Sequence, residues 1–219
     1  MKWFNRHWYN VGLVVAILAG IYLAFTWSDL TILTRLMALN FIAILLHQFE
    51  ELGWPGGFPL QMNDIMWKSE FPDRYPLNQF SNMLGNVVAS YIFYLLPVFF
   101  SDVIWLGLAP TLFGLGQLFV HGIVNNIKMH SLYNPGLFAV VCMHVPIGVY
   151  YIDYINTNNL VTSTTWLFGL LYLAVFMVVF GLSLYKLLAD KNSKWAFTED
   201  EMNRFDMVRK VKKLKSQDN

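Results

Sequence analysis

Residues 30–52 read LTILTRLMALNFIAILLHQFEEL, a stretch that is apolar apart from Arg35, Asn40 and its polar end. Crossing a bilayer as an α-helix takes about 20 mostly apolar residues, which this stretch provides. Five more apolar stretches of similar length lie before and after it. The chain is 56% hydrophobic and 13% charged, whereas a soluble domain carries about 25% charged residues. The sequence therefore predicts an all-α, polytopic membrane bundle of about six transmembrane helices.

The charges predict how this bundle is oriented. The predicted spans are Tyr9–Trp27, Leu30–Leu52, Asn82–Phe100, Val103–Asn125, Pro135–Tyr154 and Thr164–Leu188. With the N-terminus inside, every Lys and Arg except Arg35 falls on the inner side, as the positive-inside rule requires. We therefore expect both termini to be cytoplasmic. Residues 1–188 should form the transmembrane domain, with an interfacial loop at 53–81, and residues 189–219 a cytoplasmic polar and basic tail.

The composition of two segments outside the predicted spans indicates what structure they form. The connection Gly53–Phe80 is rich in Trp, Pro and Gly, which is typical of an interfacial anchor and also compatible with a lid over a cavity. In the tail, Thr198 and Glu201 have the spacing of a capping box for a short helix. Residues Met207–Leu214 are basic and partly apolar, so they predict either a solvated helix or a surface helix on anionic lipid.

The second span ends in the residues that are the strongest candidates for a catalytic or metal-binding site. Residues three and four apart share a helical face, so His47 can point the same way as Glu50 and Glu51. Such a face can hold a divalent metal ion, or act as an acid–base pair without one. The alternative is that both glutamates have simply reached the membrane interface. We assign candidate catalytic roles to His47, Glu50 and Glu51.

Further polar residues follow at four-residue spacing on other spans. Asn78, Asn82 and Asn86 begin the third span, while Gln117, His121 and Asn125 end the fourth. His130 follows in the next connection, and His144 lies deeper, in the fifth span. For the asparagines the alternative explanation is helix capping together with interhelical hydrogen bonding, and for His121 and His144 it is a structural hydrogen bond. For His130 the alternative is an ordinary interfacial residue. Because these groups reach one depth from four spans, we predict a shared polar cavity that opens inward.

The expected ligands and contacts in this cavity are as follows. The predicted metal ligands are His47, Glu50, Glu51, His121 and His130. The predicted substrate-binding residues are Asn82, Asn86 and Asn125. A site of imidazoles and carboxylates favours zinc or iron. Cys142 is the single cysteine, so a cysteine-rich metal site is excluded.

The chain resembles the bacterial membrane family that is named for its HXXEE motif. The residues that carry the resemblance are His47-Gln48-Phe49-Glu50-Glu51, Pro55-Gly56-Gly57-Phe58 and Tyr133-Asn134-Pro135-Gly136. The resemblance extends over roughly residues 30–185. It implies a multi-pass protein of the cell membrane, the inner membrane of a bacterium, and it implies that His47, Glu50 and Glu51 are important. It supplies no reaction, because the family has no settled biochemical activity.

Three classes of function remain open at the level of the sequence. The first is a membrane-embedded enzyme that acts on a lipid or another apolar small molecule. It is either a metal-dependent hydrolase or oxidoreductase, or a metal-free isomerase in which a glutamate moves protons. The second is a transporter or a proton or ion pathway. The third is a structural membrane protein. The expected partners are membrane lipid and a lipid-like substrate, and no feature indicates nucleic acid.

Overall fold

The computed structural model describes residues 2–217, and within that range it consists of helices and connections without a strand. Six helices are long and apolar enough to cross a membrane, and we number them as spans one to six: Trp3–Phe25, Ile32–Leu52, Gln79–Phe99, Ile104–Met129, Leu137–Thr157 and Ser163–Leu187. The prediction of an all-α membrane bundle is confirmed, and the chain is a multi-pass membrane protein. Met1, Asp218 and Asn219, which the predicted domain boundaries include, lie outside the described residues.

Side-chain caps explain where several spans begin. Asn78 caps span three, because its side chain accepts hydrogen bonds from the backbone N–H groups of Phe80 and Ser81. Ser81 in turn accepts one from the backbone N–H of Asn78, which completes a capping box. Thr162 caps span six in the same way. The first residue of the predicted asparagine stripe is thus a helix cap.

Four of the spans contain a π-helical segment. The segments are Ala89–Tyr94, Val120–Asn125, Val140–His144 and Ser183–Leu187, in spans three, four, five and six. In a π-helical turn the backbone hydrogen bond joins residues five apart instead of four, and such turns are rare and often lie at functional sites. His121 and His144 lie within two of these segments.

Span two is the centre of the bundle and span six lies at its edge. Span two packs against spans one, three and five, and most of its side chains are buried. Span six is joined to span three by the stacked rings of Phe93 and Phe176, whose centroids are 3.8 Å apart. About half of its residues are exposed, and most of these are apolar, chiefly leucines and valines, as lipid contact requires. Polar groups on span two are therefore enclosed by protein.

The tail packs onto the connection that follows span two. The backbone N–H of Gln79 donates to Trp195 O, and that of Phe197 to Asp73 O, both at 2.8 Å. Tyr133, in the connection between spans four and five, has its ring centroid 5.5 Å from that of Phe205. Both termini and these two connections thus lie at one end of the bundle, which we call the basic end.

The predicted capping box of Thr198 and Glu201 is confirmed, and it begins the short helix Glu199–Asn203. The helix that follows, Met207–Gln217, differs from the expectation of a solvated or lipid-bound helix. Its buried residues Met207 and Val211 pack in one apolar cluster with Leu60 and Met129. The apolar face is therefore covered by protein, and the basic residues face outward.

Arg204 joins the docked tail to spans one and two. Its guanidinium donates hydrogen bonds to the Tyr9 hydroxyl at 2.8 Å and to the backbone oxygen of Leu52. Hydrogen bonds to a charged group contribute about 1.5–3 kcal/mol, so Arg204→Ala should accelerate tryptic cleavage at Lys191 and Lys194 about tenfold or more.

Arg209→Ala is the matched control for this prediction, because the Arg209 side chain is 82% exposed and pairs with its near neighbour Asp206. Both variants remove one tryptic site from the tail. Equal cleavage rates in the two variants would show that Arg204 does not hold the tail in place.

Candidate functional site

Three side chains from spans two and four meet in the interior near the basic end. His47 Nε2 and His121 Nε2 each lie 3.5 Å from the same oxygen, Oε1 of Glu51. One candidate ligand atom from each residue lies within 4.8 Å of the others, and all three residues are buried. The four-residue spacing on span two places His47 beside Glu51, and span four adds His121. We call these three residues the His/Glu cluster.

The separations within the His/Glu cluster suit a metal ion. Ligand atoms about 2.0–2.2 Å from a tetrahedral zinc ion lie about 3.3–3.5 Å from one another. A direct charge-assisted hydrogen bond between nitrogen and oxygen would be shorter, about 2.7–2.9 Å. The cluster can therefore hold a metal ion through two imidazoles and one carboxylate.

Asn134 fixes the orientation of the His121 ring. Its amide nitrogen donates to the backbone oxygen of His121 and to Asn126 Oδ1, both at 2.7 Å. The amide oxygen must then be the atom that lies 2.7 Å from His121 Nδ1, which assigns a hydrogen to that ring nitrogen. In the neutral ring, Nε2 is left with a lone pair that points toward Glu51. A metal-ligating histidine usually makes this kind of second hydrogen bond.

Gly136 allows the two imidazoles of the cluster to approach the backbone. Its φ angle is +101°, a conformation that residues with a side chain rarely adopt. A Cβ atom at this position would lie 2.5 Å from His121 Cε1 and 2.9 Å from His47 Cε1. Both rings therefore occupy space that only glycine leaves free.

Glu50 is buried but faces away from the His/Glu cluster. Its Oε1 accepts hydrogen bonds from the Tyr133 hydroxyl at 2.7 Å and from Phe138 N at 3.0 Å, and its Oε2 accepts one from Ala139 N at 2.8 Å. The carboxylate thus caps the N-terminus of span five, where a negative charge is favourable. Burial and the hydrogen bond to Glu50 raise the pKa of the Tyr133 hydroxyl, which stays a donor. Glu50 therefore fastens span two to span five.

His144 is a further buried polar side chain next to His47. The two ring centroids are 5.7 Å apart. His144 Nδ1 lies 3.3 Å from Asn40 Oδ1, and Asn40 donates to the Thr111 hydroxyl at 3.5 Å. The other ring nitrogen of His144, Nε2, is buried and has no hydrogen-bond partner among the described residues. A line of polar groups thus runs from the cluster toward the middle of the bundle.

A cavity of about 250 Å³ adjoins the His/Glu cluster. Its apolar wall comes largely from span six and from the connection after span two, including Phe58, Met62, Met177 and Phe180. Its polar wall comprises His47, Gln48, Glu51, Asn82, Asn86, Gln117, His121 and Asn125. The structure thus brings the three asparagines predicted to bind substrate to one cavity with the cluster, and residues from 53–81 help to cover it.

The asparagines of span three are held in place by one another and by span two. Asn86 Nδ2 donates to Asn82 Oδ1 at 2.9 Å. Gln48 Nε2 donates to Asn86 Oδ1 at 3.2 Å, and Gln48 Oε1 accepts a hydrogen bond from Ser90 at 2.8 Å. Each amide thus has a defined direction, and together they form a rigid polar wall.

His130 is not brought to the His/Glu cluster. It ends the helix of span four with a left-handed φ angle of 47° and is exposed. It borders a separate surface groove at the basic end, together with Lys68 and Lys128. Its predicted role as a metal ligand receives no support from this position.

Sequence reasoning missed two residues that shape the site, Asn134 and Gly136. Both belong to the Tyr133-Asn134-Pro135-Gly136 segment, which reads as turn chemistry. The turn itself was the available signal. An asparagine in a turn can orient a buried side chain by a hydrogen bond, and a glycine in a turn can let a side chain approach the backbone closely.

Comparison with known proteins identifies a family for this chain. A family model described as "Protein of unknown function with HXXEE motif" matches residues 38–151, just over half of the 219 residues. The matched region contains the His/Glu cluster, Glu50, Asn134, Gly136 and His144. No curated protein matches the chain, and no solved structure does.

Proposed function

The chain belongs to the HXXEE family, and from this premise we propose that it is a membrane-embedded metalloenzyme that acts on a lipid or another apolar molecule. The metal, zinc or iron, is held by His47, Glu51 and His121. The observation that carries the proposal is the pair of 3.5 Å separations from two imidazole nitrogens to one carboxylate oxygen. The lone pair that Asn134 leaves on His121 Nε2 supports the same ligand set.

A site with three protein ligands favours catalysis over a structural role. Structural zinc sites are closed by four protein ligands, whereas catalytic sites keep one position open for water or substrate. A bound metal ion of this kind activates water or oxygen for hydrolysis or oxidation. The cavity next to the cluster provides room for a substrate at the open position. In this proposal Asn82, Asn86 and Asn125 bind the substrate, and Glu50 holds the turn that carries Asn134 and Gly136.

We further propose that the basic end faces the cytoplasm and that the protein resides in the cell membrane. The lysines and arginines of both termini and of the two connections at this end support that orientation. The domain organisation follows from it: residues 1–188 are the membrane domain, and residues 189–219 are a cytoplasmic tail that docks onto it.

A proton or ion pathway is the second candidate, and one observation favours it. His144, Asn40 and Thr111 extend the polar interior from the cluster toward mid-membrane. Such lines of buried polar groups serve proton transfer in pumps and transporters. A pH change inside liposomes that depends on His144 would favour this candidate over the enzyme.

Elemental analysis of the detergent-purified chain tests the metalloenzyme. The protein should carry about one zinc or iron per chain, because two histidines and one carboxylate bind such ions tightly. His47→Ala, Glu51→Gln and His121→Ala should lose that metal while they still elute as folded protein.

His130→Ala is the matched control and should keep the metal, since His130 is exposed and apart from the cluster. A wild-type protein without metal after growth and dialysis in zinc and in iron would refute the proposal. Retention of metal by the cluster variants would refute it as well.

A further inference from the structure

The cavity beside the His/Glu cluster opens sideways into the membrane. Val120 and Met177 line it, yet they are 38% and 50% exposed. They belong to spans four and six, which pack together along Ile104–Phe119 and Ser163–Leu182. Beyond these stretches both spans change to π-helical turns and make little contact with each other. The gap between their inner ends therefore connects the cavity with lipid.

The size of the cavity limits what can enter through this gap. A volume of about 250 Å³ is that of about eight water molecules. This is room for a polar group and the first few carbons of a chain, but not for a whole lipid. The remainder of a lipid-sized ligand must stay in the gap and in the bilayer.

Asn125, which lines the cavity, indicates what kind of polar group can bind there. Its Nδ2 points to Asn134 Oδ1 at 3.5 Å, so its own Oδ1 faces the other way. This oxygen is buried and accepts no hydrogen bond from the described residues. A buried acceptor without a donor costs about 1–3 kcal/mol. A ligand that donates a hydrogen bond to Asn125 Oδ1 removes this cost.

The same requirement argues against a bare anionic group as the occupant of the cavity. An ionised carboxylate or phosphodiester offers acceptors and no donor, so it would leave Asn125 Oδ1 unpaired. A charged group would also have to pass the apolar gap between Val120 and Met177, which is costly. A hydroxyl group meets both conditions, because it donates one hydrogen bond and carries no charge.

We infer that the cavity binds an uncharged, hydroxyl-bearing lipid, which enters from the bilayer between spans four and six and places its hydroxyl on Asn125 Oδ1 beside the His/Glu cluster. That this lipid is also the substrate rests on the proposed function. Binding itself depends on the gap and on Asn125, and it can be measured without any reaction.

Photolabelling tests the inference on the full-length chain in nanodiscs. The probe is a long-chain primary alcohol with a diazirine in its chain, and the competitors are dodecanol and dodecanoate. We expect labels in residues 113–125 or 177–185. Dodecanol should compete at least tenfold better than dodecanoate. Asn125→Leu should weaken alcohol binding about tenfold, which corresponds to about 1.4 kcal/mol.

A matched pair of glycine variants tests the route of entry. A Cβ at Gly181, which lines the cavity, meets no described atom within 4 Å, and the same is true at Gly20 on span one. Gly181→Trp should therefore fill the mouth without disturbing the fold and reduce labelling at least tenfold. Gly20→Trp should label as the wild type does.

Equal competition by dodecanoate, labels outside the cavity, or undiminished labelling of Gly181→Trp would each overturn the inference. Metal content measured on the same samples separates this failure from failure of the proposed function. Metal without selective alcohol binding would leave the metalloenzyme standing, and selective alcohol binding without metal would leave the lipid site standing.

Discussion

Glu50→Ala is expected to destabilise the folded protein by about 3 kcal/mol or more, whereas Glu51→Ala should cost little stability and abolish metal binding. Removal of the Glu50 carboxylate leaves the Tyr133 hydroxyl and the N–H groups of Phe138 and Ala139 without their acceptor. Each such loss costs about 1–3 kcal/mol where the group is buried. Glu51 instead lies 3.5 Å from two imidazole nitrogens, too far for strong hydrogen bonds.

Thermal unfolding followed by tryptophan fluorescence, together with metal analysis, measures both effects. Glu50→Gln serves as an intermediate case, because it keeps one acceptor oxygen and should recover part of the lost stability. The assignment of separate roles to the two glutamates would be wrong if both alanine variants lost metal and stability to the same extent.

Gly136→Ala is expected to reduce metal affinity at least 100-fold. The new methyl group would lie 2.5 Å from His121 Cε1 and 2.9 Å from His47 Cε1, so at least one ring must turn away from Glu51. The φ angle of +101° adds strain that alanine cannot relieve. Loss of a residue that only orients a metal ligand lowers metal affinity about 10–100-fold. Here a ligand itself is displaced, so the loss of affinity should be larger.

Zinc titration with a competing chelator measures this affinity. Gly116→Ala is the control, since a Cβ there meets no described atom within 4 Å, and it should bind metal as the wild type does. Unchanged affinity in Gly136→Ala would mean that the two imidazoles do not pack on the turn as described.

The architecture was predictable from the sequence because it depends on local properties. Length and apolarity identify each span, and the spacing of Thr198 and Glu201 identifies a cap. The pairing of His47 with Glu51 was also predictable, since residues four apart lie above one another on a helix. A protein in lipid satisfies its backbone within each helix, which keeps these local signals reliable.

The division of labour between Glu50 and Glu51 was not predictable in this way. Both are within one turn of His47, and which one faces span four and which faces span five depends on how three helices pack. His130 illustrates a second limit. One residue in a left-handed conformation at the end of span four turns the chain away, so proximity along the sequence to His121 does not become proximity in space.

Because of the π-helical segments, the direction in which a side chain of the span points depends on how many residues the segment before it contains. One residue added to a helix rotates everything beyond it by about 100° about the axis. Val120–Asn125 and Val140–His144 carry His121 and His144, so their imidazoles point inward only with that residue count. Deleting one residue that precedes the histidine within either segment would turn that histidine toward the acyl chains without changing the histidine itself. Insertions and deletions, which proteins usually tolerate at loop tips, would here be decisive in the middle of a helix.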